Sequence, residues 1–337
     1  MRKNVALNTP RQLKNNDKSW TQCFISSCIN DQGLSSGGNG AGVNYPLYQF
    51  KHPNYTENFT PEFRSFIDKH YSHHFESLEV LGYIYALLYS PNYRKRYEDF
   101  LKIDYPKILF TNNKDLFRAL SLLGIELIGL HVLNKESLNH SFEKLKDATI
   151  GESCYKEAHD RNPIIKKPSH NEPEQRLYIN HSAYFKGVSE EIHDYMIGGY
   201  GVLDKYLKSH KNESCDFDHV SNIIKIIART IEIQKTLGFL TSDLPHLKGN
   251  DSKALIQEIL QNPPPPPHLM PMKQATTIST VEAEAQPSLY SVLSNLALIC
   301  DRGSKVSPIS NVFVTGMLCD LHLNGSGSYA FLLYRLK

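Results

Sequence analysis

YIYALLYSPNYRKRYEDFLKIDYPKI, residues Tyr83 to Ile108, runs an apolar, aromatic helix surface into Ser90-Pro91. A dense basic segment follows (Arg94, Lys95, Arg96), and the stretch leaves through Asp104-Tyr105-Pro106. Three adjacent cations thus sit beside a well-packed scaffold, an arrangement suited to gripping a phosphate backbone. Lys102 and Lys107 continue the basic character and join the phosphate-contact candidates. The competing reading of the same cluster is a solvated helix face, with Glu98 and Asp99 as local partners. Tyr83, Tyr85, Leu87, Phe100 and Leu101 are expected in the core rather than at a contact.

Working outward, Thr60-Pro61-Glu62-Phe63 reads as a helix start, a hydroxyl cap followed by proline at the first helical position. Further helices are expected at about 75–89, 91–101, 114–133 and 216–238. The last carries Phe217, Val220, Ile223, Ile224, Ile227 and Ile231 at helical period. Residues 1–50 read as strand-like, with Asn4-Val5-Ala6-Leu7 and Cys23-Phe24-Ile25 separated by polar turns. A Gly37-Gly38-Asn39-Gly40 loop precedes Tyr45-Pro46-Leu47-Tyr48. Arg176 to Tyr184 and Ile197-Gly198-Gly199-Tyr200 read as short strands and turns. The expected class is α+β, mostly helical, with β-rich segments at both ends.

Pro263 to Pro267 is a five-proline run that cannot continue a helix and favours polyproline II, so 262–287 reads as a linker. Beyond it, Asn295-Leu296-Ala297-Leu298 echoes Asn4-Val5-Ala6-Leu7, and Phe313-Val314-Thr315 echoes Phe24-Ile25-Ser26. Asp320 matches Asp31, Leu323 matches Leu34, and each copy ends in an aromatic strand at Tyr48 or Tyr334. The layout is therefore a β-rich entry segment (1–58), a mainly helical recognition domain (59–261), the linker (262–287) and a truncated duplicate (288–337). Chance likeness of two short β-rich segments is the alternative. Two copies are too few for a solenoid.

The chain has 337 residues, 40% hydrophobic and 21% charged, which describes a folded protein rather than a disordered one. A net charge of +2 leaves any nucleic-acid footprint to local clustering. The first twenty residues lack the apolar core of a signal peptide. The run Leu120 to Leu133 is short for a membrane span and holds Glu126, so it reads as a buried core helix and no membrane partner is expected. Six cysteines without a CxxC pair are expected to be free thiols in a reducing cytoplasm.

Several chemistries lack their residues. His70, His73 and His74 have the spacing of a shared helix face, but no carboxylate or cysteine completes a recognisable metal site. The Gly37–Gly42 loop has no GxxxxGK[ST], Gly198-Gly199 no GxGxxG, and no GxSxG, HExxH or nuclease-like set occurs. An adenine methyltransferase needs an Asn/Asp-Pro-Pro-aromatic motif at the flipped base; here Asn262-Pro263-Pro264 is followed by Pro265. A second, weaker basic patch is Lys205, Lys208, His210 and Lys211, with a dipole-favoured helix end as its bland reading. Base readout would draw on Arg176, Asn180, His181 and the loop Gln32–Asn39.

A co-linear series of motifs resembles one family. NVALNTPRQL, FISSCINDQGL and YPLY come first, then TPEFRSFI and the stretch quoted above. LFRALSLLGIELIGLHVL, YIN-x3-YF-x-GV, IHDYMIGGYGVLDKYLK and DFDHVSNIIKIIARTIEIQKTL follow. Together these resemble the carboxy-terminal target-recognition (specificity) domain of type ISP restriction-modification enzymes and related adenine methyltransferases, over residues 4 to about 240. The resemblance implies a module that reads a short asymmetric sequence in double-stranded DNA and presents the target adenine to a methyltransferase. In such enzymes the methyltransferase, a helicase-like motor and a nuclease lie amino-terminal to it. It implies no cofactor in this chain, with S-adenosylmethionine on the partner methyltransferase domain, and apolar helices at 117–133 and 217–237 as scaffold. Two rival expectations stand beside it: a fragment of an S-adenosylmethionine-dependent adenine methyltransferase, and a relic of a rearranged restriction-modification gene carrying a partial second copy.

Overall fold

The computed structural model describes residues 4–13, 20–28, 42–51, 54–155, 163–244, 246, 249–267, 318–324 and 327–333. The first segment supplies β1 (Ala6–Pro10), β2 (Phe24–Ser26), β3 (Gly42–Pro46), β4 (Tyr48–Lys51) and β5 (Asn54–Glu57). β1 is the centre of an antiparallel sheet, order β2-β1-β3, with Leu7 opposite both Ile25 and Tyr45. Those three side chains are buried, which fixes the register, because a slip by one residue would turn them outward. β4 and β5 pair as a hairpin.

Thr60 starts α1 (Pro61–Tyr71) as its sequence predicts: Oγ1 accepts from the Phe63 N–H at 3.2 Å, and Pro61 occupies the first turn. α2 (Ser77–Tyr89) is buried at every position from Val80 onward, matching its apolar run. It lies along α5 (Lys114–His131), with Gly82 against Gly124. Between them come α3 (Pro91–Arg96), α4 (Glu98–Ile103) and β6 (Lys107–Leu109). The single helix expected over 91–101 is thus two. The break falls at Tyr97 (φ −113°, ψ 17°), whose ring packs 5.1 Å from that of Tyr93.

After α6 (Lys135–Phe142) come β7 (Ser153–Tyr155), β8 (Ser169–Asn171), β9 (Arg176–Tyr178) and β10 (Ala183–Phe185), an antiparallel sheet in the order β7-β10-β9-β8. α7 (Glu190–His193) leads to the two-residue strands β11 (Met196–Ile197) and β12 (Tyr200–Gly201), then α8 (Val202–Ser209). Their turn, Gly198-Gly199, has φ of 56° and 84°, so both positions favour glycine. α9 (Phe217–Leu240) buries Val220, Ile223, Ile224, Ile227 and Ile231, the stripe its sequence predicts, and α10 (Asn250–Gln261) closes the helical part. The class is α+β. Among the described residues, no single helix is long and apolar enough to cross a membrane.

Pro264 and Pro267 are buried, three residues apart, the spacing at which a polyproline II run presents one ridge. The tail contributes β13 (Leu318–Asn324) and β14 (Gly327–Leu333), paired from Leu318–Leu333 to Asn324–Gly327. β14 also adds to β6, with Ala330 opposite Ile108. β14 is the strand whose sequence echoes β3, yet β3 pairs with β1. The two copies are therefore not paired alike. Asp31 and Leu34, residues 268–287, and the echoes at 295–298 and 313–315 lie outside the described residues.

Candidate nucleic-acid interface

The basic cluster is carried by an elbow, α3 then α4, clamped to the core from three sides. Ser90 caps α3, its Oγ accepting from the Tyr93 N–H at 3.3 Å, and the same hydroxyl lies 2.6 Å from Thr241 Oγ1 at the end of α9. Asn92 Nδ2 donates to the Gly238 carbonyl at 2.6 Å. Tyr93 is buried and its hydroxyl donates to the Lys107 carbonyl at 2.7 Å, which ties β6 to α3. The elbow that carries Lys95, Arg96 and Lys102 is thereby fixed to β6, which carries Lys107.

Arg94 behaves differently from its two neighbours. Its Nε donates to the Leu88 carbonyl at 2.6 Å, in the last turn of α2. Its guanidinium lies 4.7 Å from the Tyr89 ring centroid and 5.7 Å from that of Trp20. Burial pushes the Cys23 thiol up to about 12, against the opposing pull of the Arg94 charge, so Cys23 is a neutral core thiol. Lys95 and Arg96 are exposed, and neither is paired with a carboxylate among the described residues. Lys102 Nζ is 2.8 Å from Glu98 Oε1, and Lys107 is exposed on β6.

One expectation is corrected here. Phe100 is not core: it is 61% exposed, and Ile103, one turn further on, is 66% exposed. The buried row of the elbow is Tyr93 and Leu101, with Tyr97 packed against the core between them. Phe100 is one position out of that register. Tyr83, Tyr85, Leu87 and Leu101 are core, as expected.

In the second patch, Lys205 Nζ sits 4.8 Å from the Tyr200 ring centroid, Lys208 pairs with Asp204 at 2.9 Å, and Lys211 is exposed. The β11–β12 turn is pinned by the Gly198 N–H donating to Thr21 Oγ1 at 3.0 Å. On β9, the Arg176 guanidinium lies 4.7 Å from the Tyr184 ring centroid and 2.9 Å from the Glu174 carboxylate. Asn180 is buried in the turn between β9 and β10. Its Oδ1 accepts from the N–H groups of Ser182 and Ala183, both at 2.8 Å, and its Nδ2 donates to the Ile164 carbonyl. The side chain is thus engaged in turn geometry, while His181 beside it is exposed. Gln32–Asn39 lies outside the described residues.

His70 Nε2 lies 3.2 Å from the Thr111 carbonyl, His74 Nδ1 lies 2.9 Å from Asp68, and His73 packs on Phe75. Among the described residues, no three His, Cys, Asp or Glu side chains are gathered as a metal site. Sequence patterning gave no sign of the exposed Phe100–Ile103 pair or of the cations Lys166 and Lys167 next to β8. A helical-wheel count from Tyr93 would have found the first.

The family model of the type ISP C-terminal specificity domain matches residues 1–237, and the chain belongs to that family. Among solved structures it is similar to the ATP-dependent type ISP restriction-modification enzyme LlaBIII bound to DNA. The TM-score is 0.50 at 17% identity, covering 74% of this chain and 16% of that one. The DrdV–DNA complex gives a TM-score of 0.50 at 17% identity, covering 73% of this chain and 25% of that one. A nuclease-deletion mutant of the type ISP enzyme LlaGI with a DNA substrate mimic gives 0.47 at 21% identity, covering 73% and 22%. The likeness to the first two is one of fold. The chain spans a quarter or less of the length of these three proteins. Nothing among curated proteins matches it.

Proposed function

We propose that this chain is a sequence-recognition module for double-stranded DNA in a restriction-modification system, directing adenine methylation or cleavage by catalytic domains on a partner polypeptide. Membership of the specificity-domain family over residues 1–237 carries this reading. The LlaBIII and DrdV structures, which share the fold, are of proteins bound to DNA. In this reading Lys95, Arg96, Lys102 and Lys107 hold phosphates and set register, with Lys205, Lys208 and Lys211 as a second grip. Arg176, on a strand with a rigid aromatic neighbour, is the base-edge candidate. Arg94 and Asn180 support these surfaces from within. S-adenosylmethionine belongs to the partner's methyltransferase domain, and a helicase–nuclease polypeptide of the same system completes the assembly. The entry segment 1–58, the recognition domain 59–261, the linker 262–287 and the duplicate 288–337 remain the working division of the chain.

The test is selection of the purified protein against a randomised duplex pool, with sequencing of the bound fraction. Enrichment of one short asymmetric motif is expected. A folded protein that retains no duplex at low salt would overturn the reading.

A further inference from the structure

Single exposed apolar side chains on a protein surface need no explanation. Phe100 and Ile103 are a contiguous pair, one helical turn apart, at 61% and 66% exposure. Arg96, Phe100 and Ile103 follow one another at four- and three-residue spacing, so they share the outward face of the elbow. Main-chain bonds carry the helical path through the break: the Tyr97 N–H donates to the Tyr93 carbonyl, and the Leu101 N–H to the Tyr97 carbonyl. The face is therefore rigid, anchored beneath by Tyr93 and Leu101.

The flanks of this apolar pair are positive. Lys95 and Arg96, in the turn before it, and Lys107, four residues beyond Ile103, are exposed. Of the nearby carboxylates, Glu98 is engaged by Lys102 and Asp104 by Arg11 at 3.2 Å, leaving Asp99 as the exposed acid. An apolar tip between cations is the chemistry by which architectural proteins pry apart a base step while holding the flanking phosphates. A protein partner with an apolar socket would not call for three exposed cations flanking the pair. The charge favours DNA.

We propose that Phe100 and Ile103 form an apolar wedge that seats against the base pairs of duplex DNA and deforms it, with Lys95 and Arg96 on the adjoining phosphates. This rests on the DNA-recognition reading above and adds deformation of the duplex to it. Wedge and grip are then separable. Apolar insertion releases no counterions, whereas each cation on a phosphate does.

The experiment measures binding of the randomised duplex pool across a salt series for the full chain, F100S/I103S and K95A/R96A. End-to-end energy transfer on a dye-labelled mixed-sequence duplex reports bending. F100S/I103S is expected to bind about tenfold more weakly, with the wild-type salt slope and the duplex left straight. K95A/R96A is expected to lose salt slope. Both exposed pairs are expected to keep the wild-type melting temperature, so weak binding cannot be put down to unfolding. If F100S/I103S binds and bends DNA like wild type, the wedge is overturned and the patch belongs to a protein contact. If F100S/I103S lowers the salt slope as K95A/R96A does, the pair merely supports the cations, which also overturns it. Failure of the wild type to bind any duplex would instead sink the DNA-recognition reading itself.

Discussion

A methyl group on Gly124 would lie 1.8 Å from the carbonyl oxygen of Gly82. The converse holds too, since a Cβ on Gly82 would meet the Ser121 carbonyl at 2.5 Å. α2 and α5 touch backbone to backbone here, and the close contact is what lets α2 bury every position from Val80 onward. Gly124→Ala should therefore cost about 3 kcal/mol or more through overpacking, against a gain of about 1 kcal/mol in helix propensity. Gly238→Ala on α9 is the control: its nearest neighbour would be Pro91 Cδ at 4.0 Å. It should gain up to about 1 kcal/mol. Urea midpoints for the two variants should move in opposite directions.

Glu126 is held 2.7 Å from Arg229 Nε across α5 and α9, with Lys144 3.6 Å away and Arg229 also bridging to Glu232. Burial pushes the pKa of this carboxyl up, but the Arg229 hydrogen bond and charge, with Lys144, outweigh it and hold the group below its ordinary value. Glu126→Leu leaves the half-buried Arg229 charge with Glu232 alone and should cost up to about 3 kcal/mol. Glu126→Leu with Arg229→Leu should recover much of that loss. Additive losses in a double-mutant cycle would contradict the coupling. Because the folded value is depressed, the ion pair stabilises fully above the ordinary carboxylate range near 4.3. It is lost as pH falls through the folded value. The Glu126 variant should lack that acid limb.

His131 is buried between Tyr85 and Thr230, its Nδ1 2.7 Å from the Tyr85 hydroxyl and its Nε2 3.1 Å from Thr230 Oγ1. Burial, helped by the Arg94 charge, lowers its pKa from 6.5 to about 3. Between those values the unfolded chain binds a proton that the folded chain refuses. Stability should thus fall by about 1.4 kcal/mol per pH unit as pH drops from the upper value towards the lower. His131→Gln, which keeps a donor and an acceptor, should remove one proton from that slope in urea titrations at a series of pH values. An unchanged slope would mean that another group carries it.

The helices were legible where one signal acted alone. Thr60-Pro61 and the isoleucine stripe of α9 settled their elements, because capping and 3.6-residue periodicity are local. The break at Tyr97 was not legible, since it depends on aromatic packing against Tyr93 and on the Lys107 carbonyl that Tyr93 reaches across a turn. β6, β7 and β8 were missed for a related reason. Three-residue strands carry too little alternation to register, and β6 finds its partner in β14, over two hundred residues away. In the candidate interface, sequence named the cations but not their directions. The run Arg94-Lys95-Arg96 reads as one cluster, whereas helical geometry turns Arg94 towards Trp20 and leaves the others outside.

That divergence within a single tripeptide can be measured. Arg94 gives its Nε to the Leu88 carbonyl, an unsatisfied group of the last turn of α2, and lies over the Tyr89 ring. Arg94→Ala should lose about 3 kcal/mol of stability from the charged hydrogen bond and the ring contact together. Arg94→Lys should recover only part of it, because an ammonium cannot stack a planar fork on two rings. Replacing Lys95 and Arg96 with Ala should change stability by no more than about 0.5 kcal/mol. Yet it should reduce the salt dependence of DNA binding by about one unit of slope per cation. Thermal unfolding and a salt titration of the same three proteins separate the roles. Equal stability losses for Arg94→Ala and the double variant would show that all three cations serve the scaffold.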